Sequence, residues 1–168
     1  MIEKFDLACD SVAFAQLGMV ILQSGKALRF RARGASMQPL IREGDQLQVE
    51  PLNGKKIHVG NVLLFTVDSR RAVLHRVTRT AQQPDGRLYL LHGDQADLAD
   101  GWIHETNIMG RLVSLAREGT IISSNQLPMR ILGVLAAWRS RLGLKNTRLS
   151  RGLSTLLKHL PPFSHYLA

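Results

Sequence analysis

Residues 27–123 carry their apolar side chains at the spacing of β-strands, and that pattern restricts the chain to a mainly β core. Leu28, Phe30 and Ala32 alternate with arginines, and Leu47 and Val49 alternate with polar neighbours. Residues 61–67 form a nearly continuous apolar run, suited to a strand covered on both faces. Residues 72–80 and 87–92 are separated by Gln82-Gln83-Pro84-Asp85-Gly86. This is a hairpin turn in which Pro84 fixes one φ angle and Gly86 accepts a positive one. Strands at 108–116 and 120–123 complete the β part.

Helical patterns flank it. Residues 6–24 read as a helix with Asp6 as N-cap and Ser24-Gly25 at its end. Leu127-Pro128 opens a second helix that reaches about residue 142, proline being tolerated in a first turn. A last helix over 148–160 aligns Leu149, Leu153, Leu156, Leu157 and Leu160 on one face, and Pro161-Pro162 stop it. The expected organisation is an N-terminal helix (1–26), a β-rich domain (27–124) and a basic helical tail (125–168), which is α+β by count.

Composition narrows the function classes. The 168 residues are 45% hydrophobic and 21% charged, which is globular and excludes a disordered or collagen-like chain. The net charge of +9 is uneven. Residues 1–118 hold 15 basic and 13 acidic side chains, whereas residues 119–168 hold 7 basic and no acidic ones. The basic excess therefore belongs to the leucine-striped tail. Such a helix either meets an anionic membrane surface, here through residues 128–160, or docks on the core. Nucleic acid is not an expected partner, because the tail lacks interleaved aromatics and any groove-reading motif. The single cysteine, Cys9, excludes an internal disulfide and a multi-cysteine metal site, and reads as a small buried hydrophobe. Glu3, Asp6 and Asp10 stand where a secretory signal would be basic, and no apolar stretch approaches ~20 residues. The expectation is a cytoplasmic protein whose tail touches the inner face of the membrane.

Three segments can carry chemistry. Arg33-Gly34-Ala35-Ser36-Met37-Gln38-Pro39-Leu40 places a serine just after a strand, where Pro39 keeps Gln38 out of helical geometry. Serine is a weak nucleophile without an adjacent base, and these residues alone also fit a turn serine bonded to its own backbone. His75 shares a strand face with Val73 and Val77, opposite Leu74 and Arg76. Such a histidine is either a base for a hydroxyl or a satisfied core side chain. The third segment runs from His92 through Gly93, Asp94, Gln95, Ala96, Asp97, Leu98 and Ala99 to Asp100. Either Asp94 or Asp100 could accept the second N–H of the histidine. A metal set of His92, Asp94, Asp97, Asp100 and His104 is an alternative, although its spacing matches neither an EF-hand nor a zinc motif.

In order and spacing, these segments resemble the LexA/signal peptidase serine peptidases from about residue 34 to residue 112. The shared boxes are Gly34-Ala35-Ser36-Met37-Gln38-Pro39, Gly44-Asp45, Gly60 to Phe65, Leu74-His75-Arg76-Val77, Gly93-Asp94 with Asp100, and Met109-Gly110-Arg111-Leu112. The resemblance implies Ser36 as nucleophile. LexA-like and most bacterial signal peptidase members have a lysine base at the position of His75. Histidine followed by Arg-Val is similar to the endoplasmic-reticulum and archaeal type, whose base is histidine. On that likeness Ser36, His75 and Asp100 form a triad-like set and Asp94 supports the loop.

It further implies a fold of small, strongly coiled sheets and a serine endopeptidase that cuts leader peptides or small precursor proteins after a small residue. The expected partner is then a peptide or protein substrate, with no cofactor and no metal. Departures are Gly34 where many signal peptidases have a serine, Asn61 where Asp is frequent, and Gln95 in place of Asn. With Gly34, the oxyanion would rely on backbone N–H groups such as that of Ser36. The helix at 6–24 is shorter than a signal peptidase anchor, and 35 residues before Ser36 leave no room for a LexA-like DNA-binding domain. Two other function classes fit the same residues: a catalytically silent peptide-binding module on this fold, and a membrane-surface adaptor using residues 128–160.

Overall fold

The computed structural model describes residues 11–68 and 70–124. The expected helices at 127–142 and 148–160, and the start of the first helix at Asp6, lie outside the described residues. The α-helix α1 covers Ser11–Gln23. Ala15, Gly18 and Leu22 face inward at helical spacing. Gly18 matters for the fit, because a Cβ there would come within 3.1 Å of Leu28 Cδ2 and 3.2 Å of Met109 Cε. The helix ends where Gly25 takes φ +81°, with the Gly25 N–H donating to Leu22 C=O and the Lys26 N–H to Ile21 C=O. No helix among the described residues is long and apolar enough to cross a membrane.

Eight strands follow: β1 (Leu28–Arg31), β2 (Gln46–Glu50), β3 (Val62–Val67), β4 (Arg71–Gln83), β5 (Gly86–His92), β6 (Gly101–His104), β7 (Ile108–Arg117) and β8 (Thr120–Ser123). They form a curled antiparallel sheet in the order β1-β2-β7-β3-β4-β5-β6, with β8 on β7. The mainly β core is therefore present. Strand β3 has apolar residues on both faces because both faces are covered. Val62 and Leu64 join one cluster with Leu28, Leu47, Val49 and Leu115, over which α1 packs. Leu63 and Phe65 join a second with Val77, Tyr89 and Leu91. Gly110 lets β2 pass closely over β7, since a Cβ there would lie 2.6 Å from Glu50 C=O.

Two boundaries differ from the sequence reading. The hairpin closes on Pro84 and Asp85 alone, with Gln83 opposite Gly86 at φ +145°, so Ala81, Gln82 and Gln83 continue β4. Strand β6 follows the acidic loop and pairs Gly101–His104 with Leu91–Leu88. It is only four residues long and opens on a glycine, and it pairs along the edge that β5 offers.

Candidate active site

Ser36 lies on the turn that joins β1 to β2. Met37 is buried in the core beneath it, and the Gln38 N–H donates to Ala35 C=O while the Ile41 N–H donates to Met37 C=O. An inward methionine and an outward serine are neighbours on one tight turn, so packing of the first fixes the exposure of the second. Gly34 at φ +83° makes the entry to this turn. Among the described residues the Ser36 N–H has no acceptor.

His75 is in the middle of β4, opposite Leu63 on β3, with Phe65 against its ring at a centroid distance of 6.3 Å. Its neighbours across β3 belong to the second cluster, so the face it shares with Val73 and Val77 is an inner one. The histidine is only 8% exposed. Both ring nitrogens are partnered: Nε2 is 3.0 Å from Ser36 Oγ and Nδ1 is 2.6 Å from Asp100 Oδ2. A carboxylate at Nδ1 selects the tautomer with its proton there, which turns the Nε2 lone pair toward the serine hydroxyl.

The loop from Gly93 to Asp100 brings the carboxylate in. It leaves β5 at Gly93, where a Cβ would fall 2.9 Å from His75 Nε2 and 2.9 Å from Ser36 C=O, so glycine is what allows loop, base and serine to meet. The Gln95 N–H then donates to Ser36 C=O at 2.8 Å, and the Asp100 N–H returns to Leu91 C=O at 2.9 Å. Asp94 turns away from the histidine. Its two oxygens accept from Arg76 Nε at 2.8 Å and Nη2 at 2.7 Å in a fully buried, bidentate pair. Arg76 Nη1 also donates to Gly60 C=O at 2.9 Å.

The structure thus brings Ser36, His75 and Asp100 together, and gives Asp94 to Arg76. The five-residue metal set does not converge. Asp94 and Asp100 are engaged as described, and the His104 ring nitrogens face Thr106 Oγ1 and Asp85 C=O. No group of three or more metal-ligating side chains is found among the described residues. Sequence reasoning missed three contributors. The Gln95 N–H leaves no mark on the sequence because any non-proline residue supplies it. Arg76 as an anchor and Gly93 as a point of close approach were marked by Gly-Asp directly after an apolar strand and by arginine directly after the histidine.

A second bidentate pair braces the other end of the sheet. Arg117 Nε and Nη2 donate to Asp45 at 2.8 and 2.7 Å, and the Arg42 N–H donates to the same carboxylate. This accounts for the Gly44-Asp45 box structurally.

The family described as Peptidase S24-like matches residues 5–113. The signal peptidase complex catalytic subunit SEC11C of Homo sapiens is 22% identical over 118 residues, covering 64% of this chain and 62% of that protein. The SEC11C proteins of Mus musculus and Canis lupus familiaris match to the same extent. The chain spans 62% of the length of these curated relatives.

Proposed function

The chain belongs to the Peptidase S24-like family, and from that premise we propose that it is a serine endopeptidase of the signal peptidase type. The observation that carries the proposal is the pair of contacts on one imidazole, Ser36 Oγ at 3.0 Å and Asp100 Oδ2 at 2.6 Å. Both lie within the reach that proton transfer needs. In the proposed cycle His75 Nε2 takes the hydroxyl proton as Ser36 Oγ attacks the scissile carbonyl carbon. The resulting oxyanion lies near the Ser36 N–H, which has no other acceptor among the described residues. The C–N bond breaks as Nε2 returns its proton to the leaving amine. Water repeats the sequence on the acyl-serine, releasing the acid and restoring the hydroxyl. Asp100 keeps the proton on Nδ1 and stabilises the imidazolium, a positioning role. Asp94, through Arg76, supports the loop.

The substrates proposed are leader peptides or small precursor proteins cut after a small residue, a reading supported by the likeness to a signal peptidase catalytic subunit. The test is cleavage of leader-type peptides by the wild type and by Ser36→Ala, His75→Ala and the double variant. Each single change should nearly abolish turnover, and the double variant should be little worse because the two groups act as a unit. Peptide binding without cleavage by the wild type would instead indicate a silent peptide-binding module on this fold.

A further inference from the structure

Strand β1 is a free edge of the sheet. It pairs with β2 on one side and with no other strand among the described residues. Its alternation sends Leu28 and Phe30 toward α1, where Phe30 meets Phe14, and turns Arg29 and Arg31 to solvent. The alternation continues through buried Ala32 to exposed Arg33, three residues before Ser36. Same-face residues on a strand repeat every ~6.7 Å, so the three guanidinium groups make a cationic row leading to the serine.

Among the described residues, nothing on this face neutralises the row. Arg29 and Arg31 stand opposite Gln48 and Gln46, which in turn face Ser114 and Ala116 of β7. Arg29 Nε donates to Gln48 Oε1 at 2.9 Å, and Arg31 and Arg33 bond no described residue. Glu50, the carboxylate on that face of β2, lies beyond the start of β1 and pairs with Lys55. Glu43, in the turn before β2, forms no ion pair with any of the three.

We propose that this row selects peptides carrying acidic side chains at alternate positions on the side of the cleaved bond that runs along β1. The inference rests on the peptidase reading and adds a substrate class to it. A peptide that joins β1 as an extra strand takes its affinity from main-chain hydrogen bonds and places every second side chain over the row. Guanidinium groups bind carboxylates in a planar, two-bonded geometry, which suits arginine to this recognition. Edge charges also guard sheets against aggregation. A guard of that kind confers no preference among peptides, and the two roles separate on that point.

The test measures binding of 12-residue peptides to the full chain carrying Ser36→Ala, so that no cleavage is required. Three peptides share a central Ala-x-Ala and carry alternating Glu before it, alternating Glu after it, or Gln throughout. One acidic peptide should bind about tenfold more tightly than the Gln peptide, since exposed ion pairs contribute modestly and three act together. The preference should shrink at high salt and vanish when Arg29→Gln, Arg31→Gln and Arg33→Gln are added. Equal affinities, no binding of either acidic peptide, or a preference that survives the arginine changes would overturn the inference. If phosphatidylglycerol vesicles lose binding through those changes while the peptides show no preference, the row serves lipid and the inference is likewise overturned. Cleavage by the wild type is scored separately. Acidic preference without cleavage would sink the peptidase reading and leave this one standing; cleavage without acidic preference would do the reverse.

Discussion

Two carboxylates six residues apart leave the same loop and meet neighbouring residues of the same strand, yet their surroundings differ. Asp94 and Arg76 have side chains 2% and 5% exposed, joined by two hydrogen bonds, with a third from Arg76 to Gly60 C=O. Asp100 and His75 are 20% and 10% exposed, joined by one. In the first pair a guanidinium and a carboxylate are cut off from water, so neither can be lost without leaving an unpaired buried charge. In the second, one partner can gain or lose a proton and solvent is within reach. Adjacent residues in the sequence have thus divided into a clamp and a relay. A proton-handling site needs a base that can change charge, and the scaffold around it needs an ion pair closed to solvent.

This division can be broken from either side. Asp94→Asn should cost about 3–5 kcal/mol of folding stability in urea denaturation, because the Arg76 charge stays buried without its counter-ion. Asp100→Asn should leave stability within about 1 kcal/mol of wild type, since His75 can remain neutral. Its effect should fall on turnover, lowered on the order of 10²–10⁴-fold through loss of the tautomer and of imidazolium stabilisation. Asp100→Glu should recover part of that turnover, which a purely structural role would not require. If Asp94→Asn is thermodynamically silent, or Asp100→Asn turns over normally, the assignment of the two carboxylates is wrong.

Gly93→Ala sharpens the comparison, because Gly93 separates the two pairs. The added methyl would fall 2.9 Å from both His75 Nε2 and Ser36 C=O, so the ring, the serine turn or the loop must give way. A stability loss of about 1–3 kcal/mol is expected. Turnover should fall further than global destabilisation explains, while the Arg76–Asp94 clamp holds. A variant with full turnover would show that the loop does not set the spacing between base and serine.

The smallest effect concerns the basic tail. Deleting residues 128–168 should weaken salt-sensitive sedimentation with anionic vesicles and leave cleavage of a soluble peptide almost unchanged. Unaltered sedimentation would instead favour docking of the tail on the core.

Much of the fold was legible because strand alternation is local. Leu28 to Ala32, the apolar run of β3 and the 72–92 hairpin each declare themselves within a few residues. Strand β6 did not, since its pairing is dictated by the β5 edge and not by its own side chains. Ser36 and His75 were marked by residue type and order, whereas the residues themselves left Asp94 and Asp100 open and only the family likeness favoured Asp100. That choice depends on how Gly93 and the following turn aim the loop, and on Arg76 capturing the first carboxylate it meets. The Asp45–Arg117 pair was invisible for a related reason: 72 residues separate its partners, and only the closed sheet brings them together.

The central claim is that His75 makes Ser36 nucleophilic. Intact-mass analysis after exposure to a serine-directed fluorophosphonate measures this without any knowledge of the natural substrate. The wild type should gain one adduct, located by peptide mapping to Ser36. Ser36→Ala should gain none, and His75→Ala should react at least about a hundredfold more slowly while unfolding at the same urea concentration. Labelling that proceeds at the wild-type rate in His75→Ala, or an absence of labelling in the folded wild type, would contradict the account.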